Sequence, residues 1–390
     1  MSSYISSNAN RFYTALESGY GKVPAIGSSA RIPAVKLTVR QQQEAAERKD
    51  KTGSRTFAGR PAGGRRRTNF ELKTYLTTWQ KTAAGPGYGP LFQAALGGAP
   101  QSFAGGAGSS TGAGRVTFGA AHGLSAGQAV ACGGEVRFVG AIVDTHTVQL
   151  NAPFTAVGNV TLGAAVTYAP ATELGSVSVF DYWSPATAVQ RLLCGAAVDQ
   201  MEIAVNGDYH EFQFSGLAQD VLDSSSFSGG QAAQLQSFPL EPAVDAFDYT
   251  IVPGNMGQAW LGTSPTQFFT ITSATIALKN ELDTRSREFG SNVPRAISPG
   301  QRSVTAAFEL FSLDDDATKG LYQAARQQSP ISVMLQLYVT WGLRGVSGLH
   351  VDGAEATPET LAEAGPEDLF REALAAVRAE TGLSGEERKN

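Results

Sequence analysis

Two segments of this sequence occur twice in the same order, and this repeat constrains the fold more than any other feature. Leu91–Pro100 aligns without gaps to Leu321–Pro330, with five identical positions. Upstream, Pro61–Leu72 aligns to Pro299–Leu310. Chance can match short segments, but a duplication explains two blocks in the same register better.

Each copy has the pattern of a strand, a long polar excursion, a second strand and a helix. Ala34–Val39 and Thr270–Leu278 are the first strands, and both alternate. Asp314–Asp316 precede the second helix as acidic caps. The second strands alternate apolar and polar residues with the period of a half-buried strand: the predicted buried residues are Phe70, Leu72 and Leu76 in one copy and Val304, Ala306, Phe308 and Leu310 in the other.

Two excursions, Gln41–Arg67 and Lys279–Arg302, join these strands and are rich in charge, Gly and Pro. Loops of this length in compact domains are usually functional or disordered. We expect them to be arms that become ordered on another subunit. The basic residues of the first arm are Arg48, Lys49, Lys51, Arg55, Arg60, Arg65, Arg66 and Arg67.

Charge is unevenly distributed along the chain. Residues 1–81 carry fifteen basic and five acidic residues, whereas residues 82–350 carry eleven and twenty. A basic run can bind the phosphates of nucleic acid, or it can meet an acidic surface of a neighbouring copy. Because the run lacks interleaved aromatic residues and the whole chain is acidic, contact between copies is favoured.

The region between the copies has a different composition. Ala104–Gly114 is rich in Gly and Ser and is typical of a flexible linker. Closely spaced short strands follow from Arg115 to about Tyr168 and predict a small β-barrel or sandwich. Ala186–Met201 has an apolar stripe that predicts a helix, with a strand over Glu202–Val205. Pro366 begins another predicted amphipathic helix.

The predicted fold class is therefore mainly β (α+β), with two tandem β-sandwich units that each carry a short flanking helix. An inserted barrel-like module and a C-terminal helix complete it. The predicted boundaries are 1–103 for the first unit, 104–170 for the linker and module, 171–345 for the second unit and 346–390 for the acidic extension.

The sequence predicts no catalytic, cofactor or metal site. Gly123–Gly127 matches a nucleophile-elbow pattern, but a predicted strand follows it where that chemistry needs a helix. The four histidines lie in separate contexts without metal spacing, and His210 is predicted to be half-exposed on a strand. Cys132 and Cys194 are the only cysteines, which excludes a disulfide framework. No run of 18 apolar residues and no ordinary signal segment occurs, so neither export nor membrane insertion is predicted.

The repeated units resemble the tail tube (major tail) proteins of long-tailed bacteriophages. The likeness covers about residues 1–100 and 265–342. The segments that carry it are Asn10–Pro24, Asp50–Phe57, Arg65–Tyr75 and Pro294–Thr305. The resemblance implies β-sandwich rings whose sheets line a channel, a long loop that reaches the next ring, and DNA that passes through during ejection without specific binding.

A duplicated unit then implies three chains in a ring that single-copy relatives build from six. The implied partners are further copies of the chain and the tape measure, terminator and distal tail proteins, in a virion made in the host cytoplasm. The predicted lumen-facing residues are Asn69, Glu71, Ser303, Thr305 and Glu309. Two alternatives stay open: another tail or baseplate ring component of the same fold, and an extracellular β-rich module that binds carbohydrate or a receptor.

Overall fold

A computed structural model describes most of the chain and shows a mainly β protein. The described residues are 5–44, 50–51, 53–56, 64–79, 85–205, 207–230, 235–244, 250–255, 257–261, 266–267, 271–314, 316–327, 333–337, 350–351 and 354–355. Two α-helices are present in them, α1 (Gly89–Leu96) and α2 (Asp316–Gln327), at the positions that the repeat predicts.

The strands, in chain order, are β1 (Arg11–Leu16), β2 (Arg31–Ile32), β3 (Ala34–Gln43), β4 (Arg66–Tyr75), β5 (Gln101–Phe103), β6 (Gly106–Ser110), β7 (Arg115–Phe118), β8 (Ala129–Cys132), β9 (Glu135–Ile142), β10 (Thr147–Leu150), β11 (Gly158–Gly163), β12 (Ala165–Thr167), β13 (Val177–Tyr182), β14 (Arg191–Val205), β15 (Glu211–Ala218), β16 (Asp220–Asp223), β17 (Gly257–Leu261), β18 (Thr266–Gln267), β19 (Ile271–Lys279), β20 (Asp283–Thr284), β21 (Ile297–Ser298), β22 (Ser303–Leu310), β23 (Val333–Leu337), β24 (His350–Val351) and β25 (Ala354–Glu355).

Six antiparallel strands form the central sheet in the order β3-β4-β15-β14-β19-β22. The predicted alternation holds in both repeated hairpins. Phe70 and Leu72 of β4 are buried, and Phe308 of β22 packs against the same core. The two strand pairs of the repeat therefore lie in one sheet, with the β14–β15 hairpin between them.

Strand β14 is fifteen residues long and belongs to two sheets. Its first half pairs with β13 and β16, and its second half pairs with β15 and β19. The helix predicted over Ala186–Met201 is therefore wrong. Residues 192–198 are all buried, so both faces of the strand are apolar, and a continuous apolar run also fits a helical stripe.

The main core lies between these two sheets and around α1. Leu91, Phe92 and Leu96 of the helix are completely buried. The Phe92 ring makes edge contacts with Phe212 and Phe214 of β15, at 5.3 Å or less between centroids. Helix α1 thus fixes the inner face of the central sheet and leaves the other face to solvent.

Six strands close the predicted barrel in the order β10-β7-β6-β11-β8-β9. The flexible linker predicted over Ala104–Gly114 is wrong over most of its length, because β6 pairs with β7 and β11 and completes the barrel. Glycine suits this strand: a Cβ on Gly108 would lie 3.2 Å from the Thr117 carbonyl oxygen. Strands β5 and β12 pair beside the barrel and connect it to the body.

Two predicted elements reach beyond the described residues. The helix predicted to begin at Pro366 lies wholly outside them. The apolar run Ile331–Trp341 also predicts a strand, and only β23 of it is described. In the part of the chain that is described, no helix is long and apolar enough to cross a membrane.

Candidate functional site

The solvent-facing side of the central sheet, here called the outer face, carries polar side chains on all six strands. Register and burial define its charged members. Four are acidic and five are basic, so the charges nearly balance: Glu71, Glu202, Glu211 and Glu309 against Lys36, Arg40, Arg67, Lys73 and Lys279.

All five predicted lumen-facing residues lie on this outer face. Asn69, Glu71, Thr305 and Glu309 are exposed, and Ser303 is half-buried. Cross-strand contacts hold the polar side chains in place, since Lys73 Nζ lies 2.5 Å from Glu211 Oε2 and Ser273 donates to Glu309 over 2.7 Å. The outer face is thus a continuous wall of neutral polar groups and charges of both signs.

The two excursions leave the sheet at the same end and contact each other there. The Arg66 amide donates to the Asn292 carbonyl over 2.7 Å, and the Arg65 guanidinium donates to the Arg287 carbonyl over 3.4 Å. The predicted boundaries of the first arm need correction, because β3 extends to Gln43 and β4 begins at Arg66. The second arm contains the short β20–β21 hairpin.

Between the bases of the two arms lies a cavity of about 580 Å³, here called the arginine cavity. The charged residues that line it are Arg65, Arg66, Arg67, Arg285 and Arg287 together with Glu44, Asp283 and Glu288. Arg285 is 3.2 Å from Asp283, and Glu288 is 3.6 Å from Arg295 outside the cavity. Over the described residues no carboxylate pairs with Arg65, Arg67 or Arg287, so the cavity carries unneutralised positive charge.

Arg66 differs from the other arginines of the cavity because it contacts a buried carboxylate. Its Nη1 lies 3.1 Å from Asp220, and Gln41 donates to the same carboxylate over 2.7 Å. Burial raises the pKa of Asp220 despite these two contacts. Arg66 therefore supports the fold at the base of the arm, whereas Arg65 and Arg67 remain available for other contacts.

The other predicted arm residues are more distant or undescribed. Lys51 and Arg55 are exposed on the first excursion. Arg48, Lys49 and Arg60 lie outside the described residues. Sequence reasoning missed Arg285 and Arg287, although the repeat marked their segment as the counterpart of the first arm.

No family model matches this chain, and neither does any curated protein. Its function is therefore inferred from the arrangement of its own residues.

The nucleophile-elbow segment, His122 and His210 have structural contacts. Gly123–Gly127 is a turn with positive φ at both glycines, and β8 follows it. His122 accepts from the Leu124 amide inside that turn. His210 is completely buried just before β15, so the prediction of half-exposure is wrong. Within the described ranges no group of His, Cys, Asp and Glu is arranged to hold a metal ion.

Proposed function

We propose that this chain is a structural virion protein that assembles into stacked rings and forms a tail tube for DNA. The observation that carries this proposal is the outer face, a six-stranded polar wall with nearly balanced charge. DNA has about one negative charge per 1.7 Å of axis, so a basic wall would bind it tightly. A balanced polar wall lets DNA slide, and no specific binding is needed.

The position of the two repeated hairpins supports a duplicated tube unit. Along the sheet, β19 and β22 follow β3 and β4 after a shift of four strands, in the same order and direction. Phe70 and Phe308 face the same core. Units related by rotation around a ring axis keep the same strand order and direction, as these two hairpins do. A local two-fold axis would instead reverse the order of β19 and β22.

The sheet edges also suit ring closure. Among the described strands, β3 pairs only with β4, and β22 pairs only with β19. Each therefore has an unpaired edge, and such edges pair readily with another chain. In a ring, β22 of one copy would meet β3 of the next and continue the polar wall around the channel.

Electron microscopy of the purified protein at rising concentration tests the proposal. We expect hollow tubes of uniform diameter, formed without other components. Single rings that never stack would favour the alternative of another tail or baseplate ring component. A protein that stays monomeric, and binds immobilised glycans or a host surface, would instead support a receptor-binding module. The tape measure, terminator and distal tail proteins are the proposed partners at the tube ends.

A further inference from the structure

The end of the central sheet opposite the arms carries acidic and apolar groups together. Strand β22 ends there at Leu310, paired with Ile271, and helix α2 begins six residues later. Between them, Phe311 is 72% exposed and Leu313 is 51% exposed. Asp314 and Asp316 are exposed beside them, and Asp314 forms a surface pair with Lys319 at 2.7 Å. We call the described residues Phe311–Asp314 together with Asp316 the acidic turn.

The arginine cavity and the acidic turn cannot meet within one molecule. Arg66 pairs with Gln43 at one end of the sheet, whereas Leu310 pairs with Ile271 at the other. A second copy placed end to end brings the two together. Because the two surfaces differ, the contact is head-to-tail and does not close on itself, which produces an open stack.

We propose that the arginine cavity of one copy binds the acidic turn of the next copy along the tube. This inference rests on the proposed function and names the two surfaces that stack its rings. Charge complementarity identifies the occupant. Arg65, Arg67 and Arg287 lack carboxylate partners within the described chain, and Arg66 Nε is buried without a hydrogen-bond partner there. Asp314 and Asp316 supply the complementary charge.

Apolar groups beside both surfaces add to the match. Phe289 follows Glu288 of the cavity wall and is fully exposed, at 102%. An aromatic side chain in this position is a large apolar surface that a partner can bury. Phe311 and Leu313 of the acidic turn give it an apolar surface to contact. Charge therefore sets the direction of stacking, and the apolar groups contribute affinity.

Complementary charge reversal tests the pairing. One variant combines Arg65→Glu, Arg67→Glu and Arg287→Glu, and the other combines Asp314→Arg and Asp316→Arg. Arg66 is kept because it contacts buried Asp220. We expect each variant alone to lose pelletable tubes and an equimolar mixture to regain them, since the reversed surfaces match only across the two variants. Arg115→Glu, at an exposed site on the barrel, is the control and should assemble normally.

Circular dichroism should first show that both variants are folded. Each assembly result then supports or overturns the pairing. Tubes from either variant alone would overturn the pairing, as would a mixture that stays unassembled while the wild-type chain forms tubes. The arginine variant could also form normal tubes while inorganic phosphate stabilises only the wild-type chain. That result would make the cavity an anion site and overturn the pairing. A wild-type chain that never forms tubes would overturn the proposed function itself.

Discussion

At the scale of single residues, Glu17 is a buried carboxylate that holds three segments together. It accepts from Ser176 and Ser178 over 2.6 Å each, from the Gly21 amide over 2.7 Å and from the Gly195 amide over 2.8 Å. Hydrogen bonds to a charged group are stronger than neutral ones, and an unpaired buried donor is costly. These contacts join the β1 end, β13 and β14.

Glu17→Ala should therefore lower the free energy of unfolding by about 3 kcal/mol, because it leaves four donors without their acceptor. Chemical denaturation of the purified chain measures this change. Glu173→Ala, at an exposed glutamate, is the matched control and should change stability by less than about 0.5 kcal/mol. Equal effects of the two substitutions would contradict the structural role of Glu17.

Arg302 connects the second arm to helix α1. Its guanidinium donates to the Leu96 carbonyl over 3.1 Å, to the Ala171 carbonyl over 2.8 Å and to Asn280 over 3.1 Å. Leu96 is the last residue of α1, where carbonyl groups lack partners within the helix and a cation is favourable. Burial lowers the pKa of Arg302, which lies near no pairing carboxylate in the described chain.

Arg302→Ala should destabilise the chain by about 2 kcal/mol, since it removes three hydrogen bonds. Thermal unfolding followed by circular dichroism measures the loss. Arg287→Ala is the comparison because that arginine is exposed on the same arm. A larger loss of stability from Arg287→Ala would show that Arg302 does not anchor the arm.

At the scale of elements, the β5–β12 pair connects the barrel to the body. Phe103 of β5 pairs directly with Ala165 of β12. Tyr168, just beyond, is 4% exposed and stacks on Phe92 of helix α1 at 5.8 Å. The barrel core is separate from the core around α1. The removable module therefore ends before Ala165, and Tyr168 belongs to the body.

Deletion of residues 104–164, with Phe103 joined to Ala165 through an Asn-Gly turn, should leave a folded chain that still assembles. A longer deletion that also removes 165–168 should destabilise the body, because Val166 and Tyr168 pack in its core. Electron microscopy and denaturation of both chains provide the comparison. An unfolded short-deletion chain would show that the body depends on the barrel.

The outer face of the sheet should line the lumen of assembled tubes. A single cysteine at Glu309 should react with a thiol reagent that enters the lumen, whereas one at Leu310, which is half-buried on the other face of the sheet, should react more slowly. The native thiols add little background because Cys132 and Cys194 are buried, and burial raises the pKa of Cys194 to about 12. Labelling at Leu310 with protection at Glu309 would reverse the assignment of the faces.

Sequence patterns predicted strands and helices correctly where the pattern fits only one kind of secondary structure. The alternation around Phe70 and Phe308 and the short strands of the barrel agree with the structure. Predictions were wrong where the same pattern fits two states. In β14, burial on both faces removes the alternation. In β6, glycine carries no strand signal, although the strand pairs with β7 and β11.

At the scale of the whole molecule, the arginine cavity could not be located from sequence. Arg65 and Arg287 are 222 positions apart in the chain, and their contact depends on both arms leaving one end of one sheet. The repeat indicated that the arms are counterparts, but their proximity depends on the strand order β3-β4-β15-β14-β19-β22. That order arises from long-range pairing, which local patterns do not encode.

Ring stoichiometry follows from the same strand order. The two repeated hairpins, β3–β4 and β19–β22, both lie in the wall and place two tube units in one chain. A channel that single-unit relatives close with six chains then closes with three chains of this protein. Native mass spectrometry of rings released from tubes should give three chains, and class averages should show pseudo-sixfold symmetry. Six chains in one ring would instead mean that the two hairpins belong to a single tube unit. The wall would then contain twice as many strands as a ring of three chains.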